Sequence, residues 1–218
     1  MHVQSETELV SFQDWTLRVR PASTSPSRIL LLVHGWTGDE NSMWVFVRNF
    51  APDYWIVAPR APFAAEPDGY SWRPPHAGGH ERPTFEDLQP AIGSLLGLLD
   101  AYAELQGVDA TQFDAMGFSQ GAAMVGSLTL MHPERLNQAA ILAGFLPDGA
   151  EALVASQPLK GKSLFVAHGT RDELVDVEIA RRSVGLLEQA GAQVTYCEDD
   201  VGHKLSARCS RGLQEFFA

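Results

Sequence analysis

Five short apolar runs, separated by longer segments with helical spacing, constrain this chain more than any other feature. Ile29 to Val33 is an unbroken aliphatic stretch. Strands covered by helices on both faces of a parallel sheet have this composition, because neither face meets water. Trp55 to Ala58, Phe113 to Phe118, Ala139 to Ala143 and Ser163 to Ala167 read the same way, and Gln193 to Cys197 reads as a last strand. Leu9 to Arg20 alternates apolar and polar residues, as an edge or antiparallel strand does. Between the runs, Phe85 to Leu105 carries Leu88, Ile92, Leu95, Leu96, Leu99 and Tyr102 on one face of a helix. Ala122 to Met131 is apolar nearly all round and predicts a helix buried against the sheet. Glu178 to Gln189 and Leu205 to Phe217 complete the helices. The alternation predicts an α/β layer fold in which a mostly parallel central sheet carries helices on both faces.

The 218 residues suit one domain spanning residues 1–218. A formal net charge of −11 disfavours a phosphate backbone as partner, so nucleic acid and anionic membrane surfaces are not expected. No apolar run approaches the roughly 20 residues of a membrane span. The opening MHVQSETELV lacks the basic start and apolar stretch of a secretory leader, which predicts a cytoplasmic protein. Cys197 and Cys209, the two cysteines, are expected as free buried thiols, with a bridge between them the alternative for an exported chain. Oligomeric state has no signature in the sequence.

Gly117-Phe118-Ser119-Gln120-Gly121 stands between an apolar strand pattern and a run of small residues that opens a helix. A serine in such a strand–turn–helix setting is lifted above the sheet, and flanking glycines avoid collisions that side chains would cause. The following helix N-terminus directs amides toward developing negative charge. Ser119 is therefore the candidate nucleophile.

A serine hydroxyl needs a positioned base. After Ser119 the histidines are His132, His168 and His203. His132 falls at a helix end beside Pro133, and His168 ends a strand ahead of any acid loop. His203, in the loop between the last strand and the final helix, is the candidate base. Asp172 follows the strand Ser163 to Ala167 and is the candidate acid, while Glu173, Asp176, Asp199 and Asp200 read as helix-start or loop charges. His34-Gly35-Trp36-Thr37-Gly38 follows Ile29 to Val33, where an oxyanion amide is needed. The amides of Trp36 and Gln120 are the expected pair, with Thr37 the alternative to Trp36; His34 is expected to brace the loop.

Ala61 to Pro83 is rich in proline and glycine without periodicity and is expected to overhang the catalytic face. Tyr70 and Trp72 within it are candidate substrate-lining residues. His76, His80 and Glu81 do not form a recognised metal-ligand spacing and read as a solvated loop, so no metal is expected.

These segments resemble the phospholipase/carboxylesterase family of α/β hydrolases, which includes acyl-protein thioesterases. The resemblance rests on LLVHG (31–35), PRAPF (59–63) with GYSW (69–72), GFSQG (117–121), HGTRDELV (168–175) and GHKLS (202–206). It implies an α/β-hydrolase fold without a large cap, cleaving a small-molecule ester or thioester through an acyl-enzyme, with no cofactor. Carried over, it names Ser119, Asp172 and His203, with Trp36 and Gln120 at the oxyanion site. Trp36-Thr37 departs from the small or aliphatic residues usual after the family's HG. The same groups would serve amide or peptide cleavage or acyl transfer, and a catalytically idle binding protein on this fold is the alternative outside enzymology.

Overall fold

The computed structural model describes residues 7–25, 27–75 and 82–218. β1 (Glu8–Phe12) and β2 (Trp15–Arg20) form an antiparallel hairpin. They divide the stretch read as one strand, because Gln13 takes φ 51° between them and reverses the chain. β3 (Arg28–Val33) and β4 (Tyr54–Pro59) are parallel, and β2 runs antiparallel on the outer side of β4. β7 (Phe113–Phe118), β8 (Leu136–Leu142), β9 (Ser163–Gly169) and β10 (Gln193–Asp199) extend the sheet in parallel from β3. The resulting order is β1-β2-β4-β3-β7-β8-β9-β10. β5 (Phe63–Ala64) and β6 (Tyr70–Ser71) make a separate small hairpin.

The sheet separates two apolar layers, and β3 shows how the sequence feeds both. Ile29, Leu31 and Val33 pack in the layer that holds α1 (Phe85–Gln106), α2 (Gln120–Met131) and α4 (Val177–Gln189). Leu30 and Leu32 point the other way, to Met43, Phe50, Leu213 and Phe217 around the short helix Ser42–Phe46 and α5 (Ala207–Phe216). Successive strand residues face opposite sides, so an all-aliphatic strand needs cover on both. Burying each such leucine contributes about 1.5–3 kcal/mol. A one-turn helix, α3 (Glu151–Val154), lies between β8 and β9.

Local chemistry sets the helix ends. Thr84 and Asp87 form a reciprocal capping box at the start of α1, and Gly107 ends it at φ 68°. Asp176 and Ser206 cap α4 and α5 through their side-chain oxygens. Because β3, β7, β9 and β10 run parallel, the loops at residues 34–38, 119, 170–175 and 200–206 open on one edge of the sheet. Ligands of α/β sheets bind at such an edge.

Cys197 of β10 and Cys209 of α5 form a disulfide, in place of the free thiols expected. The two thiols are far apart in helical or strand periodicity, and only the packing of α5 onto β10 brings their Cα atoms to 5.6 Å. A disulfide belongs with an oxidising compartment, which bears against the cytoplasmic expectation. Among the described residues, no helix is long and apolar enough to cross a membrane.

Candidate active site

β7 runs straight into Ser119, which adopts φ 54° and ψ −116° before α2 begins. A non-glycine residue at positive φ is strained and persists only where its surroundings over-determine it. Here they do. A Cβ on Gly117 would lie 2.0 Å from the Gly121 carbonyl oxygen, and one on Gly121 would lie 2.0 Å from that of Val33. The Ser119 amide donates to the Leu142 carbonyl at 2.9 Å, tying the turn to the end of β8. Gly144 lies against the same turn, since a Cβ there would meet the Ala122 Cβ at 2.3 Å.

The loop after β3 lies directly beside the serine. A Cβ on Gly35 would approach the Ser119 Cβ to 3.2 Å. Thr37, at φ 63°, donates its amide to the Tyr70 carbonyl at 3.0 Å, so this amide is committed to the β5–β6 hairpin. The Trp36 side chain is 47% exposed on the same loop. Gln120 is the first residue of α2, and its side chain reaches the hairpin: Oε1 accepts the Trp72 amide at 3.0 Å and Nε2 donates to the Ser71 hydroxyl at 3.1 Å.

His34 is buried, with each ring nitrogen taken by the backbone. Nδ1 donates to the Gly35 carbonyl at 2.7 Å, and Nε2 accepts the Ala61 amide at 3.0 Å. Burial holds its pKa below the usual histidine value, outweighing the Gly35 hydrogen bond. The ring therefore braces the loop.

Trp72 is fully buried, donates its indole N–H to the His34 carbonyl at 2.8 Å and packs against the His34 ring. This corrects the substrate-lining role expected for it: no part of the side chain is open to a ligand, and its polar edge is spent inside. Tyr70 is half-buried, with the Arg60 guanidinium 4.6 Å over its ring and within 3.2 Å of its hydroxyl. Arg60 in turn forks onto buried Glu40 at 2.7 and 2.9 Å. That hydrogen-bonded guanidinium holds the Glu40 carboxyl below its ordinary range despite burial. The segment read as a loop over the catalytic face is thus, through residue 75, a hairpin stapled to the loop after β3. His76, His80 and Glu81 lie outside the described residues.

Asp172 and His203 arrive from β9 and β10. The loops carrying them are joined by backbone bonds from Thr170 to Asp199 at 2.8 Å and from Arg171 to Val201 at 3.0 Å. A Cβ on Gly169 would lie 2.3 Å from the carbonyls of Val201 and Gly202, so only glycine permits this approach. Asp172 Oδ1 accepts the amides of Leu174 and Val175 at 2.9 and 3.0 Å, and Oδ2 accepts His203 Nδ1 at 2.7 Å. Burial pushes the Asp172 carboxyl up, but the Val175 amide, His203 and the Leu174 amide together hold it below the usual carboxylate range. The His203 ring meets Phe118, the residue before Ser119, edge-on with centroids 5.0 Å apart.

The other acids have different duties. Asp176 caps α4 through the Glu178 amide, and Asp199 and Asp200 pair with Arg208 and Arg171. His132 ends α2. Sequence reading overlooked the Arg60–Glu40 fork, Gly144, and the proximity of His168 to Asp172; each depends on partners distant in the chain or on backbone approach. Clefts of about 410 and 370 Å³ open around Arg135 and Arg28 at the opposite end of the strands, and none of the residues above lines them. Among the described residues, no group of three or more His, Cys, Asp or Glu side chains is placed to hold a metal ion.

The sequence matches the phospholipase/carboxylesterase family over residues 16–218. A probable carboxylesterase of rice (Oryza sativa subsp. japonica) is 25% identical over 193 residues, covering 81% of this chain and 71% of the relative. A second rice relative, named a probable inactive carboxylesterase, is 28% identical over 123 residues, covering 55% of this chain. That match spans 49%, about half, of the relative's length. The solved carboxylesterase of Bacillus cereus superposes with a TM-score of 0.81 at 24% identity, covering 94% of both chains, and shares the fold.

Proposed function

The chain belongs to the phospholipase/carboxylesterase family, an esterase-type hydrolase family of the α/β-hydrolase fold, and from this premise we propose that it cleaves carboxylic esters or thioesters through an acyl-enzyme on Ser119. His203 serves as base and Asp172 as the acid that orients it. The observation that carries this reading is the 2.7 Å bond from His203 Nδ1 to Asp172 Oδ2, with the imidazole edge-on to Phe118 beside the strained serine.

With Nδ1–H donated to Asp172, His203 Nε2 is the basic nitrogen. Ser119 Oγ attacks the carbonyl carbon as its proton passes to Nε2. The resulting oxyanion is received by the amides of Trp36 and Gln120, the latter at the N-terminus of α2, where the helix dipole favours negative charge. The imidazolium then protonates the departing alcohol or thiol. Water activated by His203 releases the acid and regenerates the serine. Asp172 holds the tautomer and stabilises the imidazolium, a role suited to a carboxyl kept ionised by its amide donors. The acyl-enzyme needs no cofactor.

A fluorophosphonate probe should label the protein at Ser119, and Ser119→Ala should abolish labelling while the fold is retained. Unlabelled, folded wild-type protein would sink the proposal. An idle, ligand-binding role is the second reading, favoured by the rice relative named as inactive. A panel of p-nitrophenyl esters, a thioester and an aminoacyl amide separates the readings: turnover of esters or thioesters supports the first, and binding without turnover supports the second.

A further inference from the structure

His168 is set aside by the order of residues along the chain, yet it ends β9 with its imidazole packed against the candidate acid. Its side chain is wholly buried, and Nε2 lies 2.8 Å from the Val175 carbonyl and 3.4 Å from Asp172 Oδ2. A carbonyl only accepts, so Nε2 carries the ring's hydrogen. Nδ1 is buried with no hydrogen-bond partner among the described residues, so a proton there would have no acceptor among them. The ring is therefore locked as one tautomer, with its single N–H aimed between the Val175 carbonyl and the carboxylate.

Two consequences meet at Asp172. Holding the Val175 carbonyl closes the turn over residues 172–175, whose amides bind Oδ1. The same N–H flanks Oδ2, the oxygen that receives His203. Rotation of the carboxylate is thus opposed at both oxygens. Glu198, the strand neighbour of His168 on β10, is engaged by Arg181 and Tyr196 and does not compete for this hydrogen.

We infer that His168 is a positioning residue, which fixes the turn and the carboxylate plane so that Asp172 Oδ2 faces His203. The inference rests on the acid–base assignment proposed above. It acts through Asp172 and touches no reacting atom.

Histidine-selective nitrogen-15 NMR on the unmodified protein reads the tautomer directly. The expected result is a single Nε2–H form for His168, together with a downfield Nδ1 proton on His203. An Nδ1–H or doubly protonated His168 at the pH of activity overturns the inference. Two variants give the second reading. Gln places an amide N–H where Nε2 stood, and Leu supplies none. His168→Leu should lower kcat by roughly 10–100-fold, as loss of outer-shell partners does in other sites, with KM unchanged and the downfield proton lost. His168→Gln should keep most of kcat and retain that proton. A folded Leu variant with wild-type kcat, or a Gln variant impaired equally, leaves only a packing role and refutes the inference. If His168→Leu does not fold, the wild-type tautomer and the Gln variant still decide. Failure of Ser119 to label would overturn the hydrolase reading without altering the NMR result, so the two failures are distinguishable.

Discussion

At the serine turn, added Cβ atoms on Gly117 and Gly121 would fall 2.0 Å from backbone oxygens. At the histidine loop, the parts are instead joined by the Asp172–His203 bond, by backbone bonds between two loops and by the Cys197–Cys209 disulfide. The first region is held mainly by close backbone approach, with one bond from the Ser119 amide to Leu142, and the second mainly by directional bonds between segments distant in sequence, with one close approach at Gly169. Steric exclusion tolerates no substitution, whereas directional bonds can be removed singly. Losses of chemistry and losses of stability should therefore separate between the two regions.

The widest separation is expected at His203. His203→Ala should cut kcat by on the order of 10⁶-fold, about 8 kcal/mol of barrier, while the urea midpoint stays near wild type. Asp172→Asn should cost on the order of 10⁴-fold through the wrong imidazole tautomer. Steady-state kinetics on an ester, paired with equilibrium unfolding, checks both; a large fall in stability for His203→Ala would break the contrast.

Gly121→Ala should behave in the opposite way. Its new methyl meets the Val33 and His34 carbonyls, so strand and helix must part, at a cost above about 4 kcal/mol in stability. Little folded protein is expected, and urea unfolding of any that is recovered measures the cost. Wild-type stability would show that the turn is looser than the contacts imply.

Removing the disulfide sharpens the account of the histidine loop. Cys197→Ala with Cys209→Ala releases a loop of 12-residue separation and should cost about 3 kcal/mol. Activity at 25 °C should persist, because the bonds from Thr170 to Asp199 and from Arg171 to Val201 still hold the loop. Thermal melts with and without a dithiol reductant test this.

The smallest effect should come from Glu198, whose carboxyl is pulled from 4.5 to about 2 by hydrogen bonds from Arg181 and Tyr196. A carboxyl depressed in the folded state stabilises fully above its unfolded value and loses that contribution as pH falls through the folded one. Glu198→Gln should flatten acid destabilisation between about 4.5 and 2, with no more than about 1 kcal/mol at neutral pH. Unfolding curves across that range measure it.

Legibility in the sequence follows the same division. Phe113 to Phe118 agrees with β7 residue for residue, because apolar residues dominate a strand buried on both faces; Asp114 is the exception, buried and bonded to the Tyr54 hydroxyl. The long apolar face of α1 was readable from its spacing. The hairpin inside Leu9 to Arg20 was not, since Gln13 carries no strong turn signal despite its positive φ. Trp72 was misread because an aromatic in a loop offers the same letter whether it faces a ligand or props up His34. The cysteines were misread because nothing local shows that α5 returns onto β10.

By itself, the sequence determined the layered α/β architecture, the serine turn and the candidate residues on the loops at one edge of the sheet. Those features depend on periodicity, strand composition and glycine placement, which are local properties of a chain. The tertiary structure alone decided which partners His34 takes in bracing the loop, that Trp72 braces as well, that Thr37 spends its amide on Tyr70, that the cysteines pair and that His168 stands behind Asp172. Each of these turns on which donor meets which acceptor, or which sulfur meets which, after distant segments have packed. Hydrogen bonds and disulfides require a few ångströms and a direction, and only the folded chain supplies both.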